Sequence, residues 1–196
     1  DRTNIGNARI SGLQQALDMT DTNYSVALTL TYIAYACIEL PGNLLYKRVG
    51  PHVLIPTMVI LWGIVATIQG FVKSYSGLLV VRFFLGLCEG GLLPGLTLYI
   101  ASFYPRHMLQ LRYALLFTAT SLAGAFSGLL STRGTLPPIF LHMDGVGGLD
   151  GWAWVFIIEG LVTVVFGVLV AFILPATLLR ARYLTPEEKL AADYVS

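Results

Sequence analysis

Four ionisable residues lie inside long apolar stretches of this sequence: Glu39, Arg82, Glu89 and Glu159. A charge at the middle of a bilayer costs about 2.5–3.5 kcal/mol on insertion scales, so each needs a partner or a wet cavity. Arg82 and Glu89 are seven residues apart, close to two full helical turns, and so point to the same side of a helix. Burial favours the neutral form of a carboxyl and a nearby guanidinium favours the charged form. A Glu set between those influences can load and release a proton as its surroundings change. Glu89 is read in that role. The competing reading is a static Arg82–Glu89 pair that holds structure without transport. Glu39, beside Pro41, and Glu159, about two turns into the last apolar stretch, are read as residues that cap or pair with neighbouring helices.

Tyr32, Tyr35 and Asn43 recur at intervals of three and eight along one apolar stretch. They suit either hydrogen bonds to a polar solute or contacts between helices. No catalytic constellation accompanies them. The three histidines, His52, His107 and His142, fall in separate expected loops, and neither H-E-x-x-H nor G-x-S-x-G is present. Cys37 and Cys88 both fall in apolar helices and read as buried thiols, neither a disulfide nor a metal pair. The glycine-rich run from Asp144 to Gly151 lacks the Gly-Lys-Ser/Thr ending of a phosphate cradle and reads as a tight turn. The residues therefore point away from an enzyme, and no metal or cofactor is expected.

The elements that must position these residues are membrane helices. Of the 196 residues, 56% are hydrophobic and 12% charged, against roughly 25% charged in soluble domains. A net charge of +1 argues against a nucleic-acid partner. Stretches long enough to span a bilayer fall at about 25–46, 53–73, 77–103, 111–131 and 152–174. Residues 1–24 are polar apart from Ile10, Leu13 and Leu17, whose spacing predicts a helical turn or two at the membrane surface. Lys47, Arg48, His52, Arg106, His107, Arg112, Arg180, Arg182 and Lys189 fall on one side of the alternating connections, which the positive-inside rule makes cytoplasmic. Residues 175–196 then begin a cytoplasmic linker, with Thr185 as N-cap and Pro186 in the first helical position. Trp152 and Trp154 are expected at a membrane interface.

The third span is the centre of this arrangement. Gly86 and Gly90 share the side of Arg82 and Glu89, and Gly91 and Gly95 repeat the spacing. Small residues four apart let another helix come close. Pro94 removes a backbone hydrogen bond and predicts a bend.

Taken in order, the motifs resemble the anion:cation symporter branch of the major facilitator superfamily, and within it the fungal allantoate/nicotinate permease-like transporters. They are Asp1-Arg2-Thr3-Asn4-Ile5-Gly6-Asn7-Ala8, Glu39-Leu40-Pro41-Gly42-Asn43 with Lys47-Arg48-Val49-Gly50-Pro51, and Trp62-Gly63-Ile64-Val65. Then follow Arg82 to Gly91 with Pro94-Gly95, Ala123 to Leu130, Asp144 to Gly148 and Phe156-Ile157-Ile158-Glu159-Gly160. The resemblance implies an all-α, polytopic fold: helices two to six of an N-terminal six-helix bundle in a twelve-helix transporter whose halves enclose a central cavity. It implies proton-coupled symport of a small organic anion, a carboxylate such as allantoate or nicotinate, across the plasma membrane. In its terms Arg2, a forked donor to a carboxylate, Asn4, Tyr32 and Tyr35 contact substrate. Asp1 and Glu89 carry the proton, and Arg82 neutralises and orients Glu89.

The partners so implied are the lipid bilayer, the anion, protons and the C-terminal half of the transporter. Half a cavity cannot alternate access, so the chain by itself is expected not to transport unless it pairs with another half. The competing expectation is a truncated, non-transporting membrane protein acting as a sensor or partner. A drug antiporter fits less well, because Ser121 to Leu130 has Gly but no Pro. Departures from the family pattern are Lys47 at the usual acidic loop position, the extra run Thr135 to Leu141, Ala153 in place of Arg, and Ala176 to Arg180.

Overall fold

The computed structural model describes residues 5, 6, 8–131 and 145–175. Among them every regular element is a helix. A π-helical turn, Arg9–Leu13, runs into the short Gln14–Ala16. The long helices are α1 (Asp21–Val49), α2 (Pro51–Gln69), α3 (Tyr75–Gly90), α4 (Leu92–Phe103), α5 (Arg106–Ser131) and α6 (Gly151–Ile173). Four apolar rods among the described residues are long enough to cross a bilayer: α1, α2, α3 with α4, and α6. The chain is an all-α, polytopic membrane protein.

Local chemistry sets the ends of these helices. Thr20 is extended and its Oγ1 accepts from the Asn23 N–H at 3.2 Å, while Asp21 sits in the first turn of α1, where the helix dipole favours an anion. Lys47 and Arg48 occupy the last turn, where it favours cations. Gly50, with φ +90°, closes α1, and Pro51 opens α2 at its first position, so one glycine makes the whole turn. Ser74 caps α3, its Oγ accepting from Gly77 N–H at 3.2 Å.

The helical hydrogen bonding of the third rod is interrupted at Gly91, between α3 and α4, where the backbone stays right-handed helical (φ −83°, ψ −15°), and Pro94 lies in the first turn of α4. A helical residue donates four residues back, so Pro94 withholds a hydrogen bond from the Gly90 carbonyl and its ring crowds that group.

Glycines decide which rods touch. At Gly86 a Cβ would overlap the Thr31 carbonyl oxygen of α1 and press on Ala34 Cβ, and at Gly90 it would run into the Tyr35 backbone. Gly63 of α2 and Gly160 of α6 face each other in the same way, backbone against backbone, and Gly167 continues that seam against Ile60. Thus α1 packs along α3 and α2 along α6, each as a small-residue crossing of the kind membrane helices favour.

Two apolar cores form at opposite ends of the bundle. One gathers Ile5, Ala8, Leu13, Leu17, Tyr24, Leu78, Trp152 and Phe156. The other gathers Tyr46, Leu54, Ile55 and Met58. The first differs from the expectation of a surface turn: Leu13 and Leu17 are buried because the N-terminal turns fold onto Tyr24, Leu78 and Trp152. Trp152, read as an interface anchor, is likewise turned inward, and its Nε1–H donates to Asp150 Oδ2 at 3.0 Å. The glycine turn is seen over Gly145 to Gly148, where Gly145, Gly147 and Gly148 all have positive φ. Residues 132–144 and the helix start read at Thr185 lie outside the described residues.

Candidate functional site

Arg82 is the largest fully buried side chain, with 1% exposure. It projects from α3 so that its Cζ lies 5.7 Å from the centroid of the Phe156 ring of α6, an arrangement in which the electron-rich ring face attracts the cation. Three groups act on it electrostatically: Tyr24 of α1, Glu89 one stripe along α3, and Glu159 of α6. Tyr24 is buried, whereas Glu89 and Glu159 are part-buried. Two helices, α3 and α6, thus hold one guanidinium and two carboxyls within electrostatic reach inside the bundle, and α1 adds Tyr24.

Their spacing predicted that Arg82 and Glu89 share a side of α3, and Glu89 acts electrostatically on Arg82. Gly86 and Gly90 clear the same side of α3, so α1 lies against it. Glu159, read as a residue that caps or pairs with a neighbouring helix, also acts electrostatically on Arg82 of α3; which helix it faces could not be read from its own stretch of sequence. Glu39, in contrast, is exposed on α1 and is not among the groups acting on Arg82. Tyr32 is exposed on α1, Tyr35 and Asn43 are part-buried, and the Tyr35 backbone lies against Gly90. Asp1, Arg2 and Asn4 lie outside the described residues.

A second polar cluster stands at the end of the bundle above Tyr24. Arg9 Nη2 pairs with Asp21 Oδ1 at 2.7 Å, and Arg9 Nε donates to Gln14 Oε1 at 2.9 Å. Gln14 Nε2 donates to the same Asp21 oxygen at 2.8 Å. The Arg9 Cζ lies 4.7 Å from the centroid of the Tyr24 ring. Tyr24 thus stands between the two clusters: it carries Arg9 on its ring and acts electrostatically on Arg82.

The opposite end of the bundle is apolar. Tyr46, 2% exposed, fills the notch left by Gly95, Met58 fills the one at Gly91, and the Tyr46 hydroxyl donates to Met58 Sδ at 3.3 Å. The Tyr99 hydroxyl donates to the Pro175 carbonyl at 3.0 Å, tying α4 to the segment after α6. The arrangement is a charged interior with an aromatic packing cluster at one end of the bundle and an exposed polar cluster at the other.

Comparison with known proteins adds the following. The sequence profile of the Major Facilitator Superfamily matches residues 1–196. An uncharacterized transporter of Schizosaccharomyces pombe is 40% identical over 185 residues, which cover 94% of this chain and 36% of that protein. The MFS-type transporter efuF of Hormonema carpetanum is 33% identical over 193 residues, 98% of this chain and 38% of its own. The major facilitator-type transporter hxnP of Emericella nidulans is 35% identical over 197 residues, 98% of this chain and 38% of its own. The chain spans little more than a third of the length of these relatives.

Proposed function

Because this chain belongs to the Major Facilitator Superfamily, we propose that it forms part of a secondary active transporter in which Arg82, Glu89 and Glu159 couple proton movement to the uptake of a small organic anion. The observation that carries this reading is the burial of Arg82 within electrostatic reach of two carboxyls from different helices. One cation facing two carboxyls leaves charge for one proton to balance. A proton arriving at or leaving the trio then shifts the forces between α3 and α6, which is the kind of local event that biases a two-state bundle. Intramembrane carboxyls paired in this way mark proton relays.

The anion enters this reading through the family resemblance. Arg2 supplies the forked donor that a carboxylate accepts, Asn4 supplies a further polar contact, and Asp1 shares the proton. Tyr32, on an exposed face of α1, and Tyr35 offer hydroxyls to the same solute. Substrates of the class of allantoate or nicotinate, and the plasma membrane as the site of uptake, follow from the same resemblance.

The test is Glu89→Gln in the complete transporter, reconstituted in vesicles. Uptake of a labelled monocarboxylate driven by a pH gradient should be lost, while exchange of labelled for unlabelled anion at equal pH persists. If gradient-driven uptake is unchanged, the coupling role of Glu89 is wrong.

A further inference from the structure

We infer that Gln69 and Arg82 border a buried water-binding site between α2, α3 and α6, in the half of the bundle that contains Trp152. Gln69, the last residue of α2, is 0% exposed, and neither its Nε2 nor its Oε1 has a hydrogen-bond partner among the described residues. Turning the amide over does not help, because both ends are in the same position. A buried amide of this kind needs both a donor and an acceptor close by.

The backbone places Gln69 near the turn of α6 that Arg82 reaches. Gly70, next in the chain, packs so closely on α6 that a Cβ there would press on Ile157 and the Ala153 carbonyl. Arg82 lies over the ring of Phe156, the residue next to Ile157. The end of α2 that carries Gln69 and the Arg82 head from α3 therefore meet the same turn of α6. The same face of α2 carries a further polar atom seven residues, or two turns, before Gln69: the buried Trp62 Nε1, which has no hydrogen-bond partner among the described residues.

The chemistry selects the ligand. An anion would satisfy only the Nε2 donors of Gln69 and a cation only its Oε1 acceptor. Water satisfies both, and it also accepts from a guanidinium, which has five donors and no acceptor. It is small enough to sit between packed helices, and buried waters make about three such bonds. Water held there hydrates the Arg82 head inside the membrane and gives the charged trio a hydrogen-bonded contact toward α2.

The experiment is radiolytic hydroxyl labelling of the complete transporter in nanodiscs, with brief mixing into ¹⁸O-water before exposure. A resident water labels the buried Phe156 and Ile157 and delivers ¹⁶O, because it exchanges slowly. Gln69→Leu should bring that labelling to background and lower the melting temperature, since it leaves the water half-coordinated. No labelling at Phe156 and Ile157 in the unmodified protein overturns the inference. So does a rise in melting temperature with Gln69→Leu, which marks the amide as a mere liability. Labelling or melting that responds to replacing chloride by gluconate overturns it in favour of an anion. If Gln69→Leu does not express, the labelling pattern of the unmodified protein decides alone. The readouts do not involve substrate, so they stand or fall apart from the assignment of the transported anion.

Discussion

Removing a buried cation leaves its carboxyl neighbours to bear the cost of burial, so Arg82 has a structural role beside the coupling role proposed for it. Breaking a fully buried ion pair destabilises by roughly 3–5 kcal/mol. Glu89 and Glu159 are only part-buried, so Arg82→Leu should fall below that range while still lowering the melting temperature in detergent clearly. Adding Glu89→Gln removes one uncompensated carboxylate and should recover part of the loss; a strictly additive double variant would show that the two side chains do not interact. Arg82→Lys should restore much of the stability but not the transport, because an ammonium lacks the flat, forked guanidinium that lies over Phe156. Equal uptake by the Lys variant and the unmodified protein would sink that distinction. At this scale the sequence revealed what lies on one helix. The seven-residue interval predicted the shared side of Arg82 and Glu89. Glu159, Phe156 and Tyr24 come from other helices, and no local pattern states which faces of α1 and α6 meet α3.

Between helices, what matters is the space that glycine leaves. Gly86→Ala puts a methyl into the Thr31 carbonyl, and a helix backbone cannot step aside as a flexible side chain can. Overpacking typically costs about 1–3 kcal/mol, and the rigid obstacle puts Gly86→Ala at or above the top of that range, measured by thermal melting. Gly6→Ala is the internal control: nothing lies within 4 Å of its Cβ position, and exchanging a helical glycine for alanine gains roughly 0.5–1 kcal/mol. A destabilised Gly6→Ala beside a neutral Gly86→Ala would mean that the α1–α3 crossing is misassigned. Gly95→Ala should act like Gly86→Ala by displacing the Tyr46 ring. Tyr46→Phe, which keeps the ring and loses only the hydroxyl bond to Met58, should cost less than about 1.5 kcal/mol. The helices themselves were legible because long apolar runs mark them locally. The burial of Leu13 and Leu17 was not legible. Two apolar residues in a polar segment look like a surface turn until Trp152, from the far end of the chain, is known to cover them.

For the molecule as a whole, the decisive feature is how much apolar surface the described helices leave open. On α1, Ile33, Leu40 and Leu44 are exposed, and on α6, Leu161, Val165, Phe172 and Ile173 are. A bilayer covers such surface without further protein, but lipid cannot supply the wall of a cavity that conducts a polar anion. Tyr32 is exposed on the same helix. This chain spans 36% of the length of the S. pombe relative and 38% of the other two compared, so a chimera tests the point directly. Residues 1–196 should replace the matching stretch of that S. pombe transporter, at 40% identity, and give a protein that inserts, melts cooperatively and moves a carboxylate. Residues 1–196 expressed alone should insert into membranes and show no uptake. Uptake by the 196-residue chain alone would overturn the division of labour argued here, because it would mean that these helices and their lipid suffice to build a pathway. A folded chimera with uptake that Glu89→Gln leaves unchanged would instead count against the proposed coupling role and leave the fold assignment standing.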